Sequence, residues 1–555
     1  MASTNSTEEN CGFVNAYMIS YYSMFAIIIL ILITISEVRR TWRARKYPPG
    51  PWGLPILGYL PFLDRRAPYI TLAELAKKYG PVYSLRLGNV NAVVLADAGK
   101  VREYLKCEEF TARAPLYVTH GIMGGFGLIC SEGELWRNQR KHIIEWLKEL
   151  GMTKKQCDAR KSLEQRIKSG VLECMQFFKD ASDRNACSDP HFALQHTLGN
   201  IINDLVFGVQ YEIEDGRWRY LTKLQDKGLK LIGVTGATNF LPWLRFLPWN
   251  YLSIRFLLQG KTRTHAIYTE LIEKRDKFWE CRKSVSKEST NILDLFIDER
   301  MRRELSDDPQ ERLSTDIYYT NDQLRHLLAD MFGAGLDTSL ATMRWFLLYM
   351  CKYQELQDEL KAELEKIPDN DFDLEHLEQC HLLRACIAEA QRIRSVVPLG
   401  IPHGAVKDFT IDGYLIPKNC MIIPLQWYIH TNKIKWIEPE YFWPRRFLND
   451  NDEFTPPSDF IPFQTGKRMC PGEDLARMIL YMYAGYLIRN FDIRLSLEYE
   501  GMTLRGESGI TLVPKYYEIK AKPVRNIDHI LDPDAERWAR YKDLEIKRLR
   551  KAKTI

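Results

Sequence analysis

The chain has no C-x-x-C pair: its 12 cysteines are scattered from Cys11 to Cys470. Neither a zinc cluster nor a disulfide framework is indicated, and a reducing setting fits the bulk of the chain. It has little net charge. With 77 Lys and Arg against 72 Asp and Glu, the balance of +5 leaves no electrostatic footprint for nucleic acid. No residue from Cys11 to Ser36 is charged, and no Lys or Arg precedes Arg39. The missing basic start and small-residue cleavage site argue against a removed signal peptide, and the missing arginines against a mitochondrial presequence.

Within that uncharged stretch, Tyr21 to Ile35 is nearly all apolar and is followed by Arg39, Arg40, Arg43, Arg45 and Lys46. Such a run suits a bilayer core of about 30 Å, and the basic flank places the body of the protein in the cytosol. The pattern predicts a lumenal segment over 1–12, carrying an Asn5-Ser6-Thr7 sequon, and a transmembrane signal anchor over 13–36. A basic, proline-rich hinge over 37–58 contains Tyr47-Pro48-Pro49-Gly50-Pro51, whose prolines forbid helix. With 45% hydrophobic residues the remainder can fill a large core.

Cys470 stands in an unusual setting. Gly466, Lys467 and Arg468 precede it, Pro471 and Gly472 follow, and Leu475, Met478, Ile479, Met482, Tyr486 and Leu487 recur at helical spacing. A thiol in a glycine-bearing loop before a helix N-terminus, beside two cations, is expected to have a lowered pKa and to seek a cation or metal. The plain alternative is a buried cysteine at a helix start.

A second stretch begins at a capping box, Thr320 with Gln323, and continues through Leu324, Leu327, Leu328, Met331 and Leu336 as a long buried helix. Its middle, Gly333-Ala334-Gly335-Leu336-Asp337-Thr338-Ser339, places two glycines, an acid and hydroxyls inside an apolar run. Each glycine weakens a helix by about 1 kcal/mol. The segment reads either as a kink, with Thr338 bonded back to a carbonyl, or as a groove built for chemistry. Residues 112–130, glycine-rich and apolar, read equally as the cover of a pocket or as an irregular connection. Short strands are expected at Val82–Leu87 and Asn91–Ala96, and again at 409–417 and 421–424. Residues 301–319 are charged and read as a solvated loop.

The ten residues Phe463 to Gly472 match at every defining position the Phe-x-x-Gly-x-Arg-x-Cys-x-Gly signature of the cytochrome P-450 family. Ala334, Gly335, Asp337 and Thr338 match that family's Ala/Gly-Gly-x-Asp/Glu-Thr motif. The chain resembles the family from about 48 to 522, departing only in Gln464 and Ser339, where Ser or Gly and Thr are more usual. The resemblance implies a mainly α fold with a small β portion over 59–522, an N-terminal transmembrane anchor helix, and a charged tail over 523–555.

Haem b is the cofactor so implied, with Cys470 as the axial ligand of its iron and Trp136, Arg140, His403 and Arg468 on its propionates. Asp337 and Thr338 would relay protons to oxygen. Glu389, Arg392 and Arg446 would form a buried network, residues 218–257 a lid, and the turn at Gly509–Pro514 an edge of the pocket. Electrons would come from NADPH through a reductase, with cytochrome b5 as a second donor, docking where Lys467, Arg445, Arg446 and Arg477 leave a cationic surface, Arg446 itself being expected to be buried. The place would be the endoplasmic reticulum membrane, and the reaction insertion of one atom of O2 into a lipophilic small molecule.

The stretch IRSVVPLGIPHGAVKDF, with GYLIP and IPLQW after it, is similar to arthropod microsomal members that hydroxylate ecdysteroids on the side chain, in synthesis or inactivation. The alternatives are broad oxidation of foreign compounds or fatty acids, a haem-thiolate isomerase or dehydratase needing no reductase, and a membrane-anchored haem sensor or lipid carrier. The Asp337-Thr338 pair argues against the last two.

Overall fold

The Asn321–Lys352 helix is the axis of the molecule. Its apolar residues wrap all faces, so from Ser339 to Cys351 every residue is buried, the pattern of a helix inside a larger core. The computed structural model describes residues 46–231, 236–281, 289–528 and 530–531, with scattered positions between 22 and 34. Helices Pro190–Phe207, Pro248–Cys281, His381–Ile393 and Glu473–Asn490 all pack on the central one, Pro190–Phe207 most extensively. Gly335 permits that closeness, since a Cβ there would stand 3.1 Å from Ile202 Cδ1.

The central helix stays continuous through its glycines, and the Thr338 hydroxyl donates to the Ala334 carbonyl at 2.9 Å. The Thr320 hydroxyl caps it by accepting the Gln323 N–H at 3.2 Å. The expected capping box is only half formed. Gln323 instead turns its side chain to the N–H and carbonyl of Gly127, at 2.9 and 3.1 Å.

The β portion is small, as expected. In chain order the strands are β1 (Val82–Leu87), β2 (Val90–Leu95), β3 (Ala112–Arg113), β4 (His403–Gly404), β5 (Phe409–Ile411), β6 (Tyr414–Ile416), β7 (Met421–Pro424), β8 (Phe491–Leu495), β9 (Glu507–Ser508), β10 (Leu512–Val513) and β11 (Ile519–Pro523). The main sheet runs β1-β2-β7-β4-β3, with β2 and β7 parallel and the other pairs antiparallel. Its register sets His403 opposite Arg113. The run expected as one strand over 409–417 is a hairpin, β5 with β6, turned by Asp412 and Gly413, both at positive φ (48° and 83°).

One further expectation changes. Residues 301–319 are helical rather than loop, in Ile292–Glu304 and Pro309–Tyr318. Asp308 caps the second helix at the Gln310 N–H (2.8 Å), Pro309 opens it, and Glu299 pairs with Arg302 and Arg303 along the first. The described part of the proline-rich hinge lies against the domain, with the Pro49 carbonyl accepting the Ser84 N–H of β1 at 2.9 Å. Among the described residues no helix is long and apolar enough to cross a membrane. Most of the run expected to do so, 13–36, and most of the tail over 523–555 lie outside them.

Candidate active site

The loop before the Glu473–Asn490 helix folds on itself. Phe463 accepts the Cys470 N–H at 3.0 Å and Gly466 that of Met469 at 3.2 Å, while Leu105 accepts the Lys467 N–H at 3.0 Å. Gly466 is required here: its φ is +83°, and a Cβ would lie 2.2 Å from the Leu105 carbonyl oxygen. Gly472 is the N-cap of the following helix.

The expected lowering of the Cys470 pKa is reversed. Burial pushes the thiol up to about 11, against smaller lowering by the Gly472 N–H and the Arg140 guanidinium. A lone thiol here stays protonated at neutral pH, so a thiolate requires a cation on the sulfur itself, which a metal provides.

Four cationic or potentially cationic side chains gather beside this loop. Arg468 is buried, donating from Nε to Thr111 O (2.6 Å) and from Nη2 to Ser131 O (2.5 Å), and its guanidinium stacks 4.3 Å from the Trp136 ring centroid. The stacked partner of Trp136 is thus Arg468, not the neighbouring Arg140 on its own helix, Gly133–Glu149. Arg140 reaches the Met469 carbonyl at 2.6 Å. Arg113 donates to Ile129 O (2.7 Å) and Ile401 O (3.3 Å). His403 Nδ1 lies 2.8 Å from Phe110 O.

Among the described residues the guanidinium groups of Arg113, Arg140 and Arg468 donate to carbonyls and to no carboxylate, although Glu132 accepts the Arg113 backbone N–H at 2.7 Å. Burial accordingly lowers Arg468 to about 8, Arg113 to about 10 and His403 to about 3, and lowers Arg140 as well. Buried guanidinium groups bonded only to carbonyls are costly until an anion joins them. A flat group bearing two carboxylates, with a metal above Cys470, fits this donor set. The central helix fits it also, for Ala334 is exposed and a Cβ at Gly333 would meet nothing within 4 Å.

Arg113 was not among the residues singled out from sequence. Its only sequence signal is a lone arginine in an apolar segment, and its partner His403 lies far along the chain.

The segment over 112–131 is pinned to the central helix. Asp330 Oδ2 accepts the Leu128 and Ile129 N–H groups at 2.7 and 2.8 Å, beside the Gln323 contacts to Gly127. Burial raises the Asp330 carboxyl to about 7 against those two bonds. This segment is therefore a fastened wall, carrying Arg113 at one end.

Asp337 does not bond to Thr338. The Thr511 hydroxyl donates to Asp337 Oδ2 at 2.6 Å, from the turn just before β10. Burial raises the Asp337 carboxyl to about 6, with Thr511 opposing. Thr511 lies in the Gly509–Pro514 turn that the resemblance placed at the pocket edge, but nothing in the sequence assigned it a role of its own.

Glu389, Arg392 and Arg446 come together as the resemblance implied. Glu389 takes both Arg392 Nε (2.7 Å) and Nη2 (2.8 Å), with Arg446 Nε at 3.2 Å and the Trp443 N–H at 2.9 Å. Of the cations expected to leave a basic surface, none is free. Lys467 pairs with Glu108, Arg445 with Glu359, Arg477 with Glu473, and Arg446 is buried on Glu389.

A family model described as cytochrome P-450 matches residues 48–521. Cytochrome P-450 306a1 of Drosophila melanogaster is 44% identical over 548 residues, 91% of this chain and 94% of the relative. Cytochrome P-450 18a1 of the same organism is 28% identical, covering 89% of this chain and 90% of its own. Human cytochrome P-450 2J2 is 30% identical, over 87% and 92%.

Proposed function

The chain belongs to the cytochrome P-450 family of haem-thiolate monooxygenases, and on that premise we propose that it hydroxylates the side chain of an ecdysteroid. The cluster of guanidinium groups around Trp136, bonded to carbonyls and paired with no carboxylate, carries the site assignment: Cys470 would hold the iron, while Arg113, Arg140, Arg468 and His403 would hold the propionates. Haem, when bound, supplies the activation of O2, with electrons delivered by a redox partner such as an NADPH reductase.

The protein's own share is positioning and proton handling. Asp337, with a carboxyl near 6, can hold or release a proton at neutral pH. Its Thr511 bond orients it, and Thr338 must leave the Ala334 carbonyl to present its hydroxyl to the groove. Apolar walls from the central helix and the pinned 112–131 segment keep bulk water from the reacting centre. We assign the catalytic domain to 59–522 and place it on the cytosolic face of the endoplasmic reticulum, held by residues 13–36. The ecdysteroid reading rests on the 393–409 stretch and its similarity to arthropod hydroxylases, and a 44% identical insect relative supports it.

Membranes containing the protein, a reductase and NADPH should convert an ecdysteroid to a product one oxygen heavier, altered on the side chain. The reduced, CO-bound haem should show the thiolate-type spectrum, and Cys470→Ser should abolish both. No turnover with that spectrum intact moves the substrate to other lipophilic compounds. Absence of the spectrum in the unaltered protein removes Cys470 from its role.

A further inference from the structure

The loop from Gly127 to Ser131 is held from two sides, and the two sides belong to different parts of the molecule. On one side is the central helix. Asp330 Oδ2 accepts the Leu128 and Ile129 N–H groups at 2.7 and 2.8 Å. Gln323, about two turns earlier on that helix, takes the Gly127 N–H at 2.9 Å and returns a bond to the Gly127 carbonyl at 3.1 Å. The approach requires glycine at 127, where φ is +80° and a Cβ would stand 2.3 Å from Asp330 Oδ2.

On the other side are two of the guanidinium groups assigned to the propionates. Arg113 Nε donates to the Ile129 carbonyl at 2.7 Å, and Arg468 Nη1 reaches the same oxygen at 3.4 Å. Arg468 Nη2 donates to the Ser131 carbonyl at 2.5 Å, and the Ser131 hydroxyl turns back to the Gly127 carbonyl, also at 2.5 Å. Glu132, the next residue along, accepts the Arg113 backbone N–H at 2.7 Å. Ile129 is therefore a pivot: its N–H is fixed by the central helix and its carbonyl receives both arginines. Bonds from N–H groups to a buried carboxylate are strong and directional, which makes the helix side of the loop stiff. Among the described residues Asp330 itself hydrogen-bonds these two N–H groups and no guanidinium.

We propose that Asp330 is a positioning residue for the haem propionates, setting through the Gly127–Ser131 loop where Arg113 and Arg468 present their guanidinium groups. The central helix thereby sets both the groove at Asp337 and Thr338 and, through Asp330, the arginines that would hold the cofactor. The inference rests on the haem site of the proposed function and not on the choice of substrate.

The ferric, haem-loaded full-length chain tests it without turnover. Two readings are taken: the rate of haem transfer to a scavenging apoprotein, and the propionate bending bands in the resonance Raman spectrum. Asp330→Leu removes both bonds to the loop; it should speed haem loss about tenfold and shift those bands. Asp330→Asn keeps an oxygen for the two N–H groups, so the bands should return to their natural places and the loss rate to within about threefold of the unaltered protein. In an Arg113→Leu background, Asp330→Leu should add no more than about threefold, since one of the groups it positions is gone.

A full tenfold on top of Arg113→Leu, or faster haem loss with unshifted bands, overturns the proposal and leaves Asp330 as a fastening of the wall alone. Where Asp330→Leu yields too little folded protein, Gly127→Ala decides, because its Cβ meets the same carboxylate oxygen. It should shift the propionate bands, and unshifted bands overturn the proposal as well. The reduced, CO-bound spectrum keeps the two readings apart. It should stay of the thiolate type in every variant, whereas its absence from the unaltered protein overturns the haem site itself and this inference with it.

Discussion

Two buried arginine clusters sit in this molecule, and they are built on opposite principles. In the first, Glu389 lies between Arg392 and Arg446, and every remaining guanidinium contact goes to a carbonyl such as His430 O at 2.8 Å. In the second, Arg113, Arg140 and Arg468 have carbonyls alone. The first is complete as a protein. The second carries largely buried positive charge with no carboxylate paired to it, so the same residue type serves the fold in one place and, under the proposed function, would serve the cofactor in the other.

Glu389→Gln strikes the complete cluster and should have the largest effect. It leaves two buried guanidinium groups unpaired, which costs about 3–5 kcal/mol. Unfolding by denaturant should show that loss alike in haem-free and haem-loaded protein. Arg468→Leu strikes the other cluster and should separate the two states. The haem-free protein should lose less than half of what Glu389→Gln removes, because a costly buried charge disappears with its bonds. Haem retention, read by transfer to a scavenging apoprotein, should fall by about ten- to a hundredfold, as suits charge-assisted bonds worth about 1.5–3 kcal/mol. Equal destabilisation of the haem-free protein by both variants would dissolve the distinction.

Asp337→Asn probes a third buried charge, an acid. Its folded pKa of about 6 exceeds the ordinary 3.8, so the folded state binds more protons than the unfolded between those values. Stability from this group is therefore lost as pH rises through about 4 to 6 and stays lost above. The variant should be more stable than the natural protein at pH 7.5, by at most about 3 kcal/mol. The two should converge below pH 4 in thermal melts, while turnover falls a hundredfold or so. Smallest of all should be Lys467→Ala, which removes an exposed ion pair with Glu108 from the loop that carries Arg468. It should change stability by about 0.2–1 kcal/mol and leave haem retention as it was.

Much of the site is legible in the chain because its parts lie at fixed short offsets. Gly466 to Gly472 form one loop and one helix start, so their local geometry follows from residue types alone. Glu389 and Arg392 share a helix turn, and the Ala334 to Thr338 segment lies on one long apolar helix. What is hidden joins distant segments. Arg113 meets His403 across a register of two-residue strands, and Asp337 takes its bond from Thr511 rather than from the adjacent Thr338. Arg468, not Arg140, covers Trp136 because the signature loop folds back over the Gly133–Glu149 helix. The 301–319 segment misleads because dense charge resembles a loop, whereas its acids and bases are spaced one helical turn apart.

By itself the chain determined its family, the signature loop that carries Cys470, the long central helix with its glycine-bearing middle, and the uncharged run that precedes the domain. Each is written in neighbouring residues, where spacing and type suffice. Tertiary structure alone decided which charges are paired, which are buried without a partner, and whether the Cys470 thiol rises or falls from its ordinary pKa. Those are sums over everything within a few ångströms, and burial, the largest contribution at Cys470, belongs to no single stretch of sequence.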